Sequence, residues 1–197
     1  MVEDALALLE LDAVASGLRA LDALVKQAPV RVLEANLVEP GRFLILLCGP
    51  VAEVDEAVGA GLRCAGPAVL HHLLLPMAHP ALLRGLRGHT LREDADSYDC
   101  LGVIEGAAIA PALLAVDRAL KDADVRLCGL RVAGGLGGRA YAVIAGAQHD
   151  VDEGLTVAEA QLRAAGALHR IERIARPHPD LIPFLLRPAP FALGREA

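Results

Sequence analysis

The chain repeats itself. Cys100 to Glu105, CLGVIE, matches Ala5 to Glu10, ALALLE, at an offset of 95 residues, and both stretches end on glutamate. Ile109, Leu113, Val116 and Leu120 stand at that offset from Val14, Leu18, Leu21 and Val25, so the same helical spacing of apolar residues occurs twice. Asp117, Lys121 and Val125-Arg126 answer in the same way to Asp22, Lys26 and Val30-Arg31. Further on the offset becomes 97, with Gly138-Arg139 for Gly41-Arg42 and Gly146 for Gly49, so one turn is two residues longer in the second copy. A duplicated unit of this size is large enough for its own core, and it excludes one continuous domain. The expected division is a first domain at 1–87, a polar and acidic linker at 88–99, a second domain at 100–187 and a tail at 188–197.

Within the first copy, Ala5 to Glu10 reads as a short strand and Ala13 to Lys26 as a helix. Val30 to Leu33 and Phe43 to Cys48 suit two further strands, the second apolar throughout and so expected to be covered on both faces. Val51, Val54, Val58 and Leu62 mark a second helix that starts at Gly49-Pro50 and stops at Gly66-Pro67. Val69 to Leu75 is a fourth strand, and a short helix opens at His79-Pro80. The order β-α-β-β-α-β predicts an α+β fold in which each copy is a four-stranded antiparallel sheet with two helices on one face. The other sheet face and the strand edges are left for other subunits to cover.

Between the second and third strands, Glu39-Pro40-Gly41 has the chemistry of a type II turn, with proline fixing φ at one position and glycine free to take a positive φ at the next. A hairpin with buried arms and a carboxylate at its tip presents that carboxylate, Glu39. At the equivalent place the second copy carries Gly134-Gly135-Leu136-Gly137-Gly138, which reads as a flexible inter-strand loop. That run lacks the Lys-Ser/Thr of a phosphate loop and does not precede a helix.

Composition narrows the function. The chain is 54% hydrophobic but only 3% aromatic, more small aliphatic surface than a monomer of this size hides, so subunit interfaces are expected. A net charge of −6 without a basic run argues against nucleic acid. No apolar run approaches the roughly 20 residues that span a bilayer, and the first residues do not form a signal peptide, so a soluble, unprocessed protein is expected. Cys48, Cys64, Cys100 and Cys128 show no metal-ligand spacing and read as reduced thiols of a cytosolic protein, with no metal and no cofactor.

Only two of the 19 basic residues are lysine, and Lys26 and Lys121 occupy the same position in the two copies, which points to a contact that prefers a compact ammonium to a planar guanidinium. His71 and His72 alternate along a strand and cannot chelate one metal. His79 and His178 precede a proline in each copy and read as residues that open the last short helix, since no nucleophile is placed beside them.

Taken together, these motifs resemble the tandem-domain, trimer-forming class of bacterial microcompartment shell proteins. The likeness rests on Asp22, Lys26, Ala28 and Val30 with their counterparts Asp117, Lys121, Ala123 and Val125, on PGRFLILLCGPVAEV, and on IARPHPDL at Ile174 to Leu181. Among tandem proteins the chain is most similar to the propanediol-utilisation subunit that carries an iron–sulfur cluster. It departs at Glu39, where that subunit has cysteine, so the cluster is not carried over. The strand order is that of the unpermuted domain.

The resemblance implies a non-enzymatic homotrimer whose six domains form a pseudohexameric tile of a microcompartment shell in the cytoplasm. Tiles meet other shell proteins laterally, and small metabolites pass a central opening. It implies that Val38, Glu39, Pro40, Gly41, Gly134, Gly135, Leu136 and Gly137 line that opening. It also implies that Lys26, Lys121, Arg176, His79 and His178 lie at tile edges, with Met77 in the first copy where Arg176 stands in the second. Whether two trimers stack is left open. The alternative is a trimeric regulator that binds a small molecule on a similar sheet.

Overall fold

The structure of the protein, a computed structural model, describes residues 5–89 and 99–185; most of the expected linker and all of the expected tail lie outside them. The described chain divides into two compact units, one ending at Ala78 and one beginning at His79. In the first, strand β1 (Ala5–Leu11), helix α1 (Val14–Gln27), strands β2 (Arg31–Val38) and β3 (Arg42–Gly49), helix α2 (Val51–Ala65) and strand β4 (Val69–Leu75) build an antiparallel sheet in the order β2-β3-β1-β4. In the second, β5 (Cys100–Gly106), α4 (Ile109–Asp122), β6 (Arg126–Val132), β7 (Ala140–Gly146), α5 (Gln148–Ala164) and β8 (Leu168–Ala175) repeat it in the order β6-β7-β5-β8. Short helices α3 (Pro80–Leu86) and α6 (Ile182–Leu185) follow the two sheets. The α+β fold expected from the duplicated pattern is the one observed. Among the described residues no helix is long and apolar enough to cross a membrane.

Helix α3 trails the first repeat in sequence but packs in the second unit, against β6 and α4. Gly85 permits the approach, because a Cβ there would lie 2.8 Å from Leu127 Cδ2.

The sheet is covered more fully than the sequence suggests. On the helix side, Ala5, Ala7, Leu9, Leu11, Phe43, Ile45 and Leu47 pack with Ala20, Leu24, Val54 and Ala57. Leu6, Leu8, Leu44, Leu46 and Cys48 point the other way, yet they too are buried. In the second unit Ile182 of α6 packs over Leu101, Cys128, Val143 and Ala145 on the face that α5 leaves open. The central strands therefore do not wait for another subunit to cover them.

Helix α1 departs from expectation in the opposite sense. Its apolar stripe of Val14, Leu18 and Val25 is 38%, 54% and 45% exposed, while Gly17, Ala20 and Leu24 meet the sheet. The equivalent Ile109, Leu113 and Leu120 of α4 are at most 5% exposed. Periodicity located both helices correctly; it could not tell which of two apolar stripes faces the sheet.

Packing between helix and sheet is kept by exchanging volumes between repeats. Leu11, Gly17 and Phe43 in the first answer to Gly106, Ala112 and Ala140 in the second. A Cβ on Gly17 would fall 2.3 Å from Phe43 Cδ1, and one on Gly106 would fall 2.7 Å from Ala112 Cβ. Replacing glycine by alanine in a helix gains about 1 kcal/mol in propensity, whereas overpacking a core costs typically about 1–3 kcal/mol. With the Phe43 ring so close, the clash is the larger effect. Gly17→Ala is expected to lower Tm by several degrees in a thermal melt, and a rise in Tm would contradict this packing.

Candidate functional site

Two kinds of position stand out from the duplicated sheet: the hairpin tips and the ends of α1 and α4. At the first tip the chain turns one residue earlier than expected. Gly41 N–H donates to Val38 O at 3.1 Å, so the turn runs Val38 to Gly41, with a cis peptide before Pro40 and φ +91° at Gly41. Glu39, Pro40 and Gly41 are exposed, but Val38 is 3% exposed and lies beneath the turn. Its side chain supports the tip and is not presented by it.

The second tip is built differently. Ala133 N–H donates to Arg139 O at 3.1 Å, closing a loop in which Ala133, Gly134, Gly135, Gly137 and Gly138 all have positive φ. This loop is tethered where a flexible one was expected, because Arg131 Nη2 donates to Gly134 O and Arg139 Nε to Leu136 O, each at 3.0 Å. Gly135 and Gly137 are exposed, and Gly134 and Leu136 half-buried. Beneath it Arg139 Nη1 lies 2.9 Å from Glu105 Oε1 and 2.5 Å from His169 Nε2. Arg42 and Glu10 occupy the same places in the first unit, 3.9 Å apart. The repeat showed the glutamates and the arginines recurring in sequence, but not that they come together beneath the tips.

At the helix ends each lysine answers an aspartate one turn back. Lys26 Nζ is 2.7 Å from Asp22 Oδ2, and Lys121 Nζ is 2.5 Å from Asp117 Oδ2. The environments differ sharply. Asp22 is 59% exposed and Asp117 only 1%. Asp117 also accepts the backbone N–H of His79 at 2.7 Å, so one carboxylate holds both the helix lysine and the start of α3. A buried carboxylate needs two such donors to offset its desolvation.

His79 Nδ1 accepts from Ala81 N–H at 3.3 Å, and His178 Nδ1 from Asp180 N–H at 3.2 Å. Both therefore cap the helical turns they precede, as their position before proline suggested. Arg176 is exposed in a left-handed conformation, φ +47°, with its backbone N–H on Asp99 O at 2.8 Å, and Met77 is exposed. Of the five expected edge residues, the structure brings Lys121 and His79 together through Asp117. Cys48, Cys100 and Cys128 are buried and Cys64 is half-buried, all as free thiols.

The BMC domain family matches twice, over residues 5–78 and 100–177. The chain belongs to the BMC domain family. It is 34% identical to the bacterial microcompartment shell protein PduT of Citrobacter freundii, over 91% of this chain and 96% of that one. The carboxysome shell protein CcmK3 of Synechococcus elongatus is 36% identical over 29% of this chain and 60% of its own length. A crystal structure of a microcompartment protein from Desulfitobacterium hafniense superposes with a TM-score of 0.81 at 32% identity, covering 91% of this chain and 98% of that one.

Both BMC repeats thus keep the fold while differing at the tip and at the aspartate. The histidine of the first BMC repeat's trailing segment carries a pH response. Burial, chiefly, and the nearby Lys121 and Arg84 push the His79 pKa below its ordinary 6.5, against an opposing pull from Asp117. The His71 pKa is likewise lowered, mainly by burial and further by the charges of Arg42 and His72. The folded state thus prefers neutral imidazoles, and below pH 6.5 the unfolded chain binds protons that the folded one does not. This stability is complete above that pH and is lost as pH falls beneath it. Chemical denaturation at pH 5 and pH 7 is expected to show the protein less stable at pH 5. His79→Asn, which keeps a cap acceptor but does not titrate, is expected to remove part of that difference.

Proposed function

We propose that the chain is a structural subunit of a bacterial microcompartment shell, assembled as a homotrimer whose six BMC domains form one pseudohexameric tile. The observation that carries this reading is the family match over both repeats, joined to a shell-protein relative of the same two-repeat length. No arrangement of nucleophile and base among the described residues supports an enzymatic role, and nothing favours the small-molecule regulator. The tile lies in a cytoplasmic shell beside other shell proteins. Electron microscopy of concentrated protein is expected to show flat hexagonal arrays; particles that stay discrete at every concentration would overturn the tile.

In this reading the exposed Glu39, Pro40 and Gly41 line a central opening in alternation with Gly134 to Gly137, and Val38 supports them from below. Three Glu39 carboxylates around one axis favour cations and oppose anions. Glu39→Gln is expected to ease the passage of anionic metabolites into assembled shells while leaving neutral ones of similar size unchanged. Equal changes for both classes would remove Glu39 from the path.

Lys26, Lys121, Arg176, His79 and His178 serve the tile edges, but the two lysines are not equivalent in cost. Lys26 forms an exposed pair, and such pairs contribute about 0–1 kcal/mol. Lys26→Ala is therefore expected to weaken arrays in part, since each lysine serves alternate edges, while the trimer persists and Tm shifts by no more than about 2–4 °C. Lys121→Ala leaves the buried Asp117 with the His79 N–H alone among its described donors. It is expected to lower stability by roughly 1–3 kcal/mol in denaturant titration, as a charged group that loses a partner does.

A further inference from the structure

Beneath the glycine tip a histidine touches both the arginine that holds the loop and the carboxylate that holds the arginine. Leu136 O accepts twice from Arg139, from its Nε at 3.0 Å and from its backbone N–H at 3.3 Å. The far end of the same guanidinium lies between a carboxylate and a ring, with Nη1 2.9 Å from Glu105 Oε1 and 2.5 Å from His169 Nε2. His169 Nε2 is itself 3.6 Å from that carboxylate oxygen. A guanidinium nitrogen only donates, so His169 Nε2 is the acceptor, and the geometry is that of the neutral ring.

The other charged groups nearby are held elsewhere. A Cβ on Gly102 would meet Leu155 and Val151 of α5, so Glu105, three residues on, points to the other face of β5, where Arg139 and His169 meet it. Tyr141 pairs across the sheet with Glu105 on one side and Arg131 on the other, and Arg131 Nη2 donates to Gly134 O. Next along β8, Arg170 donates to Glu172 at 2.8 Å. From α5, which packs on β8, Asp152 accepts from Arg173 and Glu159 from Arg163. Glu105 and Arg139 are therefore the charges in contact with the His169 ring. Leu168 pairs with Gly106 as Val69 pairs with Leu11, so in the first unit Leu70 stands where His169 does, and His71 takes the place of Arg170.

We propose that His169 is a proton-operated latch on the glycine tip: the neutral ring accepts from Arg139 and keeps that guanidinium on Leu136 O, and the protonated ring takes Glu105 and releases Arg139. An imidazolium has no lone pair left for Arg139 and repels it, while its new Nε2–H has a carboxylate oxygen 3.6 Å away. His169 lies within β8, whereas Arg139 precedes β7 and swings on a long stem, so the arginine is the partner that moves. Histidine changes charge between about pH 5 and 8, so the tip is held above that range and loose below it. The bearing of this latch on passage rests on the central opening proposed above; the latch itself is a property of one chain.

Amide hydrogen exchange of the full chain, normalised at each pH to the rate of an unstructured peptide, reads the latch directly. The N–H groups of Ala133 and Arg139 close the loop, and peptides covering them are expected to lose about tenfold in protection between pH 7.5 and pH 5.5. His169→Gln, a neutral acceptor throughout, is expected to keep that protection at pH 5.5. His169→Lys, a cation throughout, is expected to show the loose tip already at pH 7.5. The contributions of His79 and His71 are common to wild type and variants, so the comparison isolates His169. Equal losses in wild type and His169→Gln would overturn the latch, as would a His169→Lys tip protected like the wild type at pH 7.5. Electron microscopy of the same protein separates this from the tile: arrays built of chains whose tip ignores pH overturn the latch alone, and a responsive tip in a protein that forms no arrays overturns the tile alone.

Discussion

A carboxylate removed from water needs donors on more than one side, and the arrangement of the second unit follows from how Asp117 obtains them. Lys121 comes from the same helix, one turn on, which any Asp-x-x-x-Lys helix supplies. The other donor, the His79 N–H, comes from a segment that precedes the second repeat. Once that bond is made, α3 is held along β6 and α4, Gly85 is pressed against Leu127 and Leu130, and His79 is positioned to cap the helix with its own ring. Removing the carboxylate would leave a backbone donor and an ammonium without their acceptor, a loss larger than that of an exposed pair.

Duplication has preserved the backbone while redistributing volume. The β1–β3 pairing of Leu11 with Phe43 above Gly17 becomes, in the second unit, the pairing of Gly106 with Ala140 beside Ala112. Gly102 makes room for Leu155, where the first unit has Ala7 and Val58. Both edge strands also carry a register shift at the matching place, Val32/Glu34 and Leu127/Gly129. Each repeat is close-packed by its own combination of residues, so single positions have lost their equivalence while the layers have kept theirs.

Much of this was legible in the sequence because a duplicated pattern reports twice. The order of elements along the chain, the helix positions, the role of His79 and His178 in opening the short helical segments, and the family itself followed from spacing and motif. What escaped were facts that depend on long-range partners. The stripe of Val14, Leu18 and Val25 has the period of a buried face, yet Gly17 and Ala20 are what the close approach of the sheet requires. Val38 reads as part of a presented turn, but the hydrogen bond from Gly41 places it underneath. The glycine run reads as loose because its tethers lie outside it, Arg131 on β6 and Arg139 just before β7. Nothing in the local sequence distinguishes Asp22 from Asp117, since the difference lies in a segment nearly forty residues away.

The placement of α3 also has a consequence for the order of events on the ribosome. Synthesis proceeds at roughly 5–20 residues per second, and the N-terminal domain folds first. The first sheet, complete at Leu75, has every strand it needs before β6 exists, but α3 emerges with its seat still unmade. For some seconds Leu82 and Leu86, both buried in the finished protein, have no partner on β6 or α4. A nascent chain in that state carries a short apolar segment beside a finished sheet, the kind of transiently exposed surface for which chaperones exist, until the second copy arrives to claim it.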